Sequence, residues 1–264
     1  MLKQLKILFI LFSFFVLTAC GSHDKNTLKI GTISGPETEL MEVAKETAKN
    51  KYHLDIKIIE FTDYIQPNAS LNDGSIDANM FQHQPYLVQQ IKDRHYDLIS
   101  VGKTFIYPMG VYSNKIKKLD DLPMNATIAI PNDPSNEGRA LLLLQKAGII
   151  LLKSSAGLYA TPSDILTNNK KIQFKELDAA QLARSLPDVD AAIINTNYAV
   201  PAGLTPTKDA IYIEGTDSPY ANIIVTRTDR QNDPRIKQFI QAFQSEEVKN
   251  AAKKIFNDQA IPAW

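Results

Sequence analysis

The chain has 264 residues, with 29 acidic and 29 basic side chains and therefore no formal net charge. This balance gives no basic footprint for phosphate, so a nucleic-acid partner is not expected. The single cysteine excludes an intramolecular disulfide. About 240 residues follow the N-terminal segment, which is enough for two α/β lobes or one large domain.

Residues 1–19 are predicted to be a signal peptide. Met1–Lys6 carries two lysines, an almost continuous apolar run follows over Leu5–Leu17, and small residues then precede Cys20. The apolar run is shorter than the roughly 20 residues that span a bilayer, and the whole pattern resembles a bacterial lipoprotein signal. We therefore expect Cys20 to be the lipid acceptor and residues 20–27 to be a tether. The alternative is an unmodified secreted protein with a spare thiol.

From Leu28 onward, short apolar strands alternate with helices. The predicted strands of the first half are Leu28–Ile33, Leu54–Phe61, Ile76–Phe81, Leu98–Val101 and Phe105–Tyr112. Helices are predicted after the turn Ser34–Glu37, over Asn68–Asn72 and over Pro85–Lys92. Acidic residues in a first turn, proline near a start and glycine just past an end are typical helix boundaries.

A charged, turn-rich segment, Ser113–Leu122, interrupts this pattern before it restarts. The predicted strands of the second half are Thr127–Ile130, Ile149–Leu152, Ile172–Leu177, Ala191–Ile194, Ile211–Ile213 and Ala221–Thr226. Helices are predicted over Ser135–Ala147 and Ala179–Leu186 and from a start at residues 161–164. The amphipathic region Pro234–Phe256 ends the chain as a long helix.

Two successive α/β units followed by a C-terminal helix predict a two-lobed α/β protein in which the chain crosses twice between lobes. The second crossing is expected at the apolar strand Ala221–Thr226, which returns the chain to the first lobe. Lobe 1 then comprises residues 28–112 and 223–264, and lobe 2 comprises residues 113–222. In such a protein the strand ends and the ligand meet in the cleft between the lobes.

Aromatic side chains are concentrated between Phe61 and Leu87. The members of this group lie at or beside predicted strand ends and turns: Phe61, Tyr64, Phe81, His83 and Tyr86. Core aromatics usually follow a period of 2 or 3.6 residues, whereas Pro67, Gly74 and Pro85 break the pattern here. Two interpretations stay open at this point. The rings either cap the edge of the core or line a ligand site in the loops.

No motif for catalysis or metal binding is found. The four histidines do not have the spacing of a helical zinc site, and no cysteine can complete one. The nucleophile elbow, the P-loop and the dinucleotide-binding glycine motif are absent from the sequence. We therefore expect neither an enzyme nor a bound metal or other cofactor.

Polar residues at two further strand ends are candidates for a ligand site. In the segment Pro131–Arg139, a strand runs into a tight turn and a helix start, which attracts anions. Arg139 lies one turn into that helix and could offer a planar pair of donors to a carboxylate; the alternative is an ordinary surface arginine on the polar face of the helix. Asn195, Asn197 and Asn222 follow or begin apolar strands, but asparagines in turns are usually structural.

Taken together, these segments resemble the NlpA/MetQ family, the methionine-binding lipoproteins of ABC importers. The resemblance extends from the signal segment to Trp264 and is carried by five phrases in the same order: FTDYIQPN, IDANMFQHQPYL, PNDPSNEGRALLLLQKAG, AAIINTNYA and SPYANIIV. It implies a type-II periplasmic-binding fold. Residues Lys153–Gly157 depart from the family's usual wording, and we expect them to form a surface loop.

The resemblance also implies a role for each candidate residue. Arg139 would hold the ligand carboxylate, and Asn197 and Asn222 would hold the other backbone groups of an amino acid, with Asn195 as the alternative to Asn197. The ligand side chain would lie among aromatic residues, namely Tyr64, His83 and Tyr86, with Phe61 and Phe81 nearby. A linear thioether makes favourable contacts with aromatic rings, so this arrangement suits methionine.

The function implied is that of a lipid-anchored protein that captures L-methionine and delivers it to the permease and ATPase subunits of an ABC importer. D-methionine and methionine derivatives or peptides stay open as ligands. The alternative is a surface lipoprotein, an adhesin or coat protein, that uses the same fold without transport. A place in the cell envelope, on the periplasmic face of a membrane, is expected. Gly21 after Cys20 lacks the acidic signal for inner-membrane retention, so either membrane is open.

Overall fold

The computed structural model describes residues 26–215 and 217–264. Its strands are β1 (Thr27–Ile33), β2 (Asp55–Phe61), β3 (Ala78–His83), β4 (Leu98–Ile106), β5 (Gly110–Tyr112), β6 (Thr127–Pro131), β7 (Leu151–Leu152), β8 (Ile165–Thr167), β9 (Gln173–Leu177), β10 (Ala191–Ile194), β11 (Ala210–Ile213), β12 (Ala221–Arg227) and β13 (Ile261–Pro262). Its helices are α1 (Pro36–Tyr52), α2 (Gln66–Asn72), α3 (Gln84–Arg94), α4 (Pro134–Lys146), α5 (Leu182–Ser185), α6 (Thr196–Ala199), α7 (Pro206–Asp209), α8 (Pro234–Phe243) and α9 (Glu246–Ile255). The predicted signal peptide and Cys20 lie outside the described residues.

Six strands form the sheet of the first lobe, in the order β13-β4-β12-β3-β1-β2. β1 runs parallel to β2 and β3, whereas β12 lies antiparallel between β3 and β4. Helix α1 packs against α8 and α9. Apolar side chains that recur at helical spacing, among them Leu40, Phe239 and Phe243, join the sheet residues Leu28 and Ile30 in one buried core.

Five strands form the sheet of the second lobe, in the order β11-β5-β10-β6-β9. β6 runs parallel to β9 and β10, and β5 pairs antiparallel with β10 and β11. Helix α4 packs on β6, and its Leu141 and Leu144 join Ile128 and Ile193 in a second core. Since each lobe has its own sheet and core, the predicted two-lobed α/β fold is confirmed.

The chain passes between the two sheets twice, after β4 and after β11. Because β5 belongs to the second sheet, the first crossing lies between Ile106 and Gly110 and not just after Tyr112 as the sequence predicts. The second lies between Ile213 and Ala221, so that Ala221 and Asn222 already belong to the first sheet. The two crossings are joined where the backbone N–H of Glu214 donates to the Met109 carbonyl at 2.9 Å.

Two predicted elements are divided in the structure. The strand expected over Phe105–Tyr112 is broken at Pro108, which has no N–H to donate to a ladder. The helix expected over Pro234–Phe256 is the pair α8 and α9, because the Ser245 side chain caps α9 by accepting from the Val248 N–H at 3.4 Å. Among the described residues, no helix is both long and apolar enough to cross a bilayer.

Candidate ligand-binding site

The cleft between the two lobes collects the carboxyl ends of four parallel strands, where ligands bind in open α/β sheets. Tyr64 follows β2, His83 ends β3 and Arg139 lies in the helix after β6, while Asn195 follows β10. The walls are lined by Tyr64, Phe81, Gln82, His83, Tyr86, Tyr107, Asn136, Arg139, Asn195, Thr196, Asn197 and Asn222. About 370 Å³ of empty space, which includes space open to solvent, lies between these walls.

The first lobe contributes a wall of aromatic rings. The ring centroid of Tyr64 lies 5.8 Å from that of Phe81 and 6.0 Å from that of Tyr86, and Phe81 and Tyr86 are 5.8 Å apart. These separations are typical of aromatic pairs. The Tyr86 hydroxyl donates to the Tyr64 carbonyl at 2.7 Å, which fixes the loop after β2 against the start of α3. The rings therefore form a rigid surface.

His83 is held as a neutral imidazole between the lobes. Its Nδ1 accepts from the Tyr86 N–H at 3.2 Å, so the ring proton is on Nε2, which lies 3.2 Å from Oδ1 of Asn136. Burial, and after it the nearby charge of Arg139, lower the pKa of His83 to about 3. His83 therefore donates one hydrogen bond across the cleft without carrying charge.

The second lobe contributes a chain of amide side chains. Nδ2 of Asn136 donates to both carboxylate oxygens of Asp133, at 3.0 and 2.9 Å. Oδ1 of Asn136 then accepts from Nδ2 of Asn195 at 2.9 Å. Within the described part of the chain, Oδ1 of Asn195 and the Tyr107 hydroxyl are buried with no hydrogen-bond partner.

Glu37, in the first turn of α1, lies behind two more of these amides. Asn197 and Asn222 direct their Nδ2 atoms at its carboxyl oxygens, 3.3 and 3.4 Å away, and Tyr64 donates its hydroxyl to Oδ1 of Asn197 at 2.6 Å. Burial raises the pKa of Glu37 to about 8, and the two amides oppose that rise. Glu37 thus connects the second-lobe residue Asn197 with the first lobe.

Arg139 is paired with a carboxylate of the second crossing. Its Nε donates to Oε1 of Glu214 at 3.1 Å, and its Nη2 donates to Oε2 of Glu214 and, at 3.0 Å, to the Tyr107 carbonyl. Its guanidinium carbon lies 4.5 Å from the ring centroid of Tyr220. Nη1 makes no hydrogen bond to any described residue. The guanidinium is therefore held in one orientation with one nitrogen unpaired.

The structure brings seven of the eight ligand residues predicted from the sequence to the walls of the cleft. Phe61 is the exception, since it ends β2 and packs behind, against the cluster of Ile33, Phe81 and Tyr86. Of the two alternatives Asn195 and Asn197, both line the cleft.

Comparison with known protein families matches residues 28–264 to the family described as NlpA lipoprotein. The chain belongs to the NlpA lipoprotein family. A relative from Salmonella typhimurium named D-methionine-binding lipoprotein MetQ is 53% identical over 94% of this chain and 93% of its own length.

Two solved structures extend this relationship to the fold. An ABC transporter periplasmic substrate-binding protein from Coxiella burnetii is 60% identical, with a TM-score of 0.87 over 89% of this NlpA-family chain and 100% of its own. A nutrient-binding protein from Burkholderia cenocepacia, bound to methionine, is 53% identical, with a TM-score of 0.88 over 90% of this chain and 100% of its own. These relatives are named as binding proteins and not as enzymes.

Several residues of this NlpA-family cleft were not predicted from the sequence as ligand residues. The position of Glu37 could have indicated a ligand residue, because it follows the end of β1 as Arg139 follows the end of β6. Asn136 could have been found in the same way, because it lies in the same sequence phrase as Arg139. No sequence feature indicated Tyr107 or Glu214, since both belong to the crossings and meet Arg139 only in the folded chain. Among the described residues, no group of three His, Cys, Asp or Glu side chains could hold a metal ion.

Proposed function

We propose that the chain captures methionine in the cleft between its lobes and delivers it to an ABC importer. The observation that carries this proposal is the meeting of Arg139, amide side chains and a box of aromatic rings in one cleft. An α-amino acid has the matching parts, namely a carboxylate, an ammonium group and a side chain. The names of the relatives support methionine as that amino acid.

The charges of the cleft favour a zwitterion over an ion of one sign. Arg139 is balanced by Glu214, and burial keeps His83 neutral and raises the pKa of Glu37 to about 8. Asp133 caps α4; burial raises its pKa, and the hydrogen bonds that it accepts from Asn136 and Ser135 oppose that rise. A zwitterion adds no net charge to this buried space, whereas an unpaired buried charge costs several kcal/mol.

Arg139 is the proposed anchor for the ligand carboxylate. A guanidinium can return charge-assisted hydrogen bonds to a carboxylate that leaves water. Because Glu214 and the Tyr107 carbonyl already fix its orientation, Arg139 loses little conformational freedom when the ligand binds. Asn197 and Asn222 are proposed to contact the other backbone groups of the amino acid.

The aromatic wall is the proposed slot for the methionine side chain. Tyr64, Phe81, His83 and Tyr86 present ring faces and edges to a narrow space, and Phe61 supports Phe81 from behind. A sulfur atom gains about 0.3 to 1.5 kcal/mol from a contact with such a ring. The slot therefore favours a flexible thioether over a charged or branched side chain.

Ligand binding is tested with protein that has been unfolded, washed and refolded so that copurified ligand is removed. Calorimetry should show binding of L-methionine in preference to D-methionine, norleucine and leucine, which compare stereochemistry, the sulfur atom and branching. If stripped, folded protein binds none of the twenty amino acids, the capture function is wrong. Tighter binding of D-methionine would keep the capture function and reverse the proposed stereochemistry.

The lipid anchor is a second part of the proposal, and it rests on the N-terminal sequence and the lipoprotein relatives. Mass spectrometry of the native protein should find a chain that starts at Cys20 with added acyl mass. Cys20→Ser should move the protein from the membrane fraction to the soluble fraction without changing its methionine affinity. A membrane-bound Cys20→Ser protein would show that something other than the lipid holds it.

Delivery to an importer is tested in cells that lack the chromosomal copy of this protein. Restoring the wild-type chain should restore uptake of radiolabelled methionine, whereas Arg139→Ala should not.

We also propose that the lobes move about the two crossings, whose described residues are 107–109, 214–215 and 217–220. Small-angle scattering should then show a smaller radius of gyration with methionine than without it, and identical curves from stripped protein would exclude the movement.

A further inference from the structure

Asn195 combines burial, an unpaired acceptor and a position in the cleft wall. It follows the last residue of β10 and is 7% exposed. Its Oδ1 is buried with no hydrogen-bond partner among the described residues. Buried polar atoms are nearly always paired, because an unpaired one has lost its hydrogen bonds to water without a replacement. An acceptor left unpaired in a ligand cleft therefore indicates a donor on the ligand.

The direction of this acceptor is set by a charge two residues away in the hydrogen-bond chain. A carboxylate only accepts hydrogen bonds, so Asp133 forces Asn136 to turn its Nδ2 toward it. Oδ1 of Asn136 must then face the other way, where it receives both Nδ2 of Asn195 and Nε2 of His83. With its Nδ2 committed to Asn136, Asn195 is left with its oxygen turned away from that chain.

A flipped amide would break this arrangement at several points. If Asn136 were reversed, its oxygen would face the oxygens of Asp133 and its Nδ2 would face two other donors, from His83 and Asn195. The His83 proton is itself fixed on Nε2 because Nδ1 accepts from the Tyr86 N–H. The orientation of Asn195 is thus determined from both lobes.

We propose that Asn195 accepts a hydrogen bond from the α-ammonium group of the bound amino acid and thereby selects ligands with a free amino group. This inference rests on the proposed function, since it assigns a group of the same ligand. The Tyr107 hydroxyl, another buried group of the cleft without a hydrogen-bond partner among the described residues, can donate as well as accept. The Asn195 oxygen can only accept, so it discriminates against ligands that lack a donor at this position.

Asp133 and Asn136 act through Asn195 and are positioning residues. They hold the amide so that its oxygen does not need to reorient when the ligand enters. A hydrogen bond to a charged group contributes about 1.5 to 3 kcal/mol, which corresponds to roughly 10- to 150-fold in affinity. Removal of either partner, the ammonium or the Asn195 oxygen, should therefore be easily measured.

The test compares two probes, L-methionine and 4-(methylthio)butanoate, which has the same carboxylate and thioether but no amino group. Calorimetry on stripped wild-type protein should show that the des-amino probe binds at least 30-fold more weakly. In Asn195→Ala the ratio of the two dissociation constants should be at least tenfold smaller than in the wild-type protein. Asn195→Ser, whose shorter side chain does not reach as far, should also lower the ratio.

The ratio separates recognition from structural damage, because a distorted cleft weakens both probes equally. Phe81→Leu is the matched control: it removes a ring from the aromatic wall that the thioether of both probes would contact, so both affinities should fall together and the ratio should stay at its wild-type value. An unchanged ratio in a folded Asn195 variant overturns the proposal while leaving methionine capture intact. The proposal is also overturned if the wild-type protein binds the two probes with dissociation constants that differ by less than threefold, a measurement that requires no variant. Failure of wild-type protein to bind methionine would instead contradict the proposed function itself.

Discussion

The two walls of the cleft are built from different chemistry. The first-lobe wall consists of rings from β3 and from the segments after β2 and β3, which pack 5.8 to 6.0 Å apart. The second-lobe wall consists of Arg139 and amide side chains from the segments after β6 and β10, connected by hydrogen bonds to Asp133 and Glu214. The packed wall suits a side chain, and the polar wall suits the groups that all amino acids share.

This difference predicts different consequences of mutation. Packing contacts are many and individually small, so that the loss of one ring should weaken binding moderately and change which side chain is preferred. Charge-assisted hydrogen bonds are few, and each contributes a large part of the binding free energy, so the loss of one should weaken the binding of every amino acid. Variants in each wall can therefore test whether the aromatic wall selects the side chain and the polar wall binds the groups that all amino acids share.

The largest effect is expected for Arg139→Ala. The variant removes the proposed partner of the ligand carboxylate. Loss of one partner of such a buried charge pair costs about 3 to 5 kcal/mol, or two to four decades in the dissociation constant. Arg139→Lys should recover only part of the affinity, because an ammonium group cannot reproduce the planar donors that Glu214 and the Tyr107 carbonyl now receive. Calorimetry on stripped protein, with circular dichroism to verify folding, measures both variants.

The control for this experiment is the partner carboxylate. Arg139→Ala leaves Glu214 without its ion-pair partner, so the double variant Arg139→Ala with Glu214→Gln should be more stable than Arg139→Ala while binding methionine no better. A folded Arg139→Ala protein with an affinity within about threefold of wild type, a change of only about 0.7 kcal/mol, would place the carboxylate anchor elsewhere.

The second prediction concerns Glu37, which links the two walls through Asn197 and Asn222. The folded protein holds a proton on Glu37 up to a pH of about 8, whereas the unfolded chain releases it near pH 4.5. The free energy of unfolding should therefore fall as the pH rises from 4.5 to 8 and level off above that. The decrease should be on the order of 5 kcal/mol, since the two pKa values differ by about 3.5 units and one unit corresponds to about 1.4 kcal/mol.

Glu37→Gln isolates this contribution because the amide does not titrate. Urea unfolding of stripped protein across this pH range should give a smaller decrease for the variant than for wild type. His83 works in the opposite direction: its pKa of about 3 lies below the ordinary value of 6.5, so stability is lost as the pH falls below 6.5. That loss should appear equally in both proteins. Parallel pH profiles for wild type and Glu37→Gln would contradict a protonated Glu37.

A smaller effect is expected in the aromatic wall, for Phe81→Leu. The substitution keeps an apolar side chain but removes the ring, so about 0.3 to 1.5 kcal/mol of sulfur–aromatic interaction is lost. Methionine affinity should fall by about 2- to 10-fold, while norleucine, which has a methylene in place of sulfur, should lose less. Tyr64→Phe keeps its ring and should preserve the preference for methionine. Equal losses for both ligands in Phe81→Leu would assign the preference to other residues.

The sequence predicts the aromatic wall better than the polar one, for a physical reason. Tyr64, Phe81, His83 and Tyr86 stand out because prolines and glycines place them at strand ends, a local signal that needs no knowledge of packing. Arg139 was found as a donor at a helix start, with a surface position as the alternative.

The partners of Arg139 were not predictable in the same way. Glu214 and Tyr107 lie in separate crossings, and only the adjacency of these two segments brings both to Arg139. The orientation of Asn195 depends on Asp133 through Asn136, a hydrogen-bond chain that no sequence spacing describes. The crossing after β4 was misplaced by a few residues because an apolar strand continues past Pro108 in sequence but not in pairing.

The smallest effect is expected at the lip of the cleft, where the walls touch without contacting the ligand site. The Tyr159 hydroxyl of the second lobe donates to the Pro85 carbonyl at the start of α3, 3.0 Å away. The segment that carries Tyr159 is pinned to its own lobe at Gly138, where a Cβ atom would lie only 2.2 Å from the Leu158 carbonyl oxygen. The segment around Tyr159 is therefore held on the second lobe, and the Tyr159 side chain contacts Pro85 of the first lobe.

In the proposed movement of the lobes, this hydrogen bond joins them only in the closed state, so its loss should act on release of the ligand and not on capture. A partly exposed hydrogen bond contributes about 0.5 to 1 kcal/mol, so Tyr159→Phe should raise the methionine dissociation rate about two- to fivefold and leave the association rate nearly unchanged. Stopped-flow displacement of methionine measures both rates. Tyr96→Phe, which removes a hydroxyl from a ring packed near Leu98 in the first lobe, should change neither. A slower association rate in Tyr159→Phe, with no change in dissociation, would instead show that the contact forms before closure is complete.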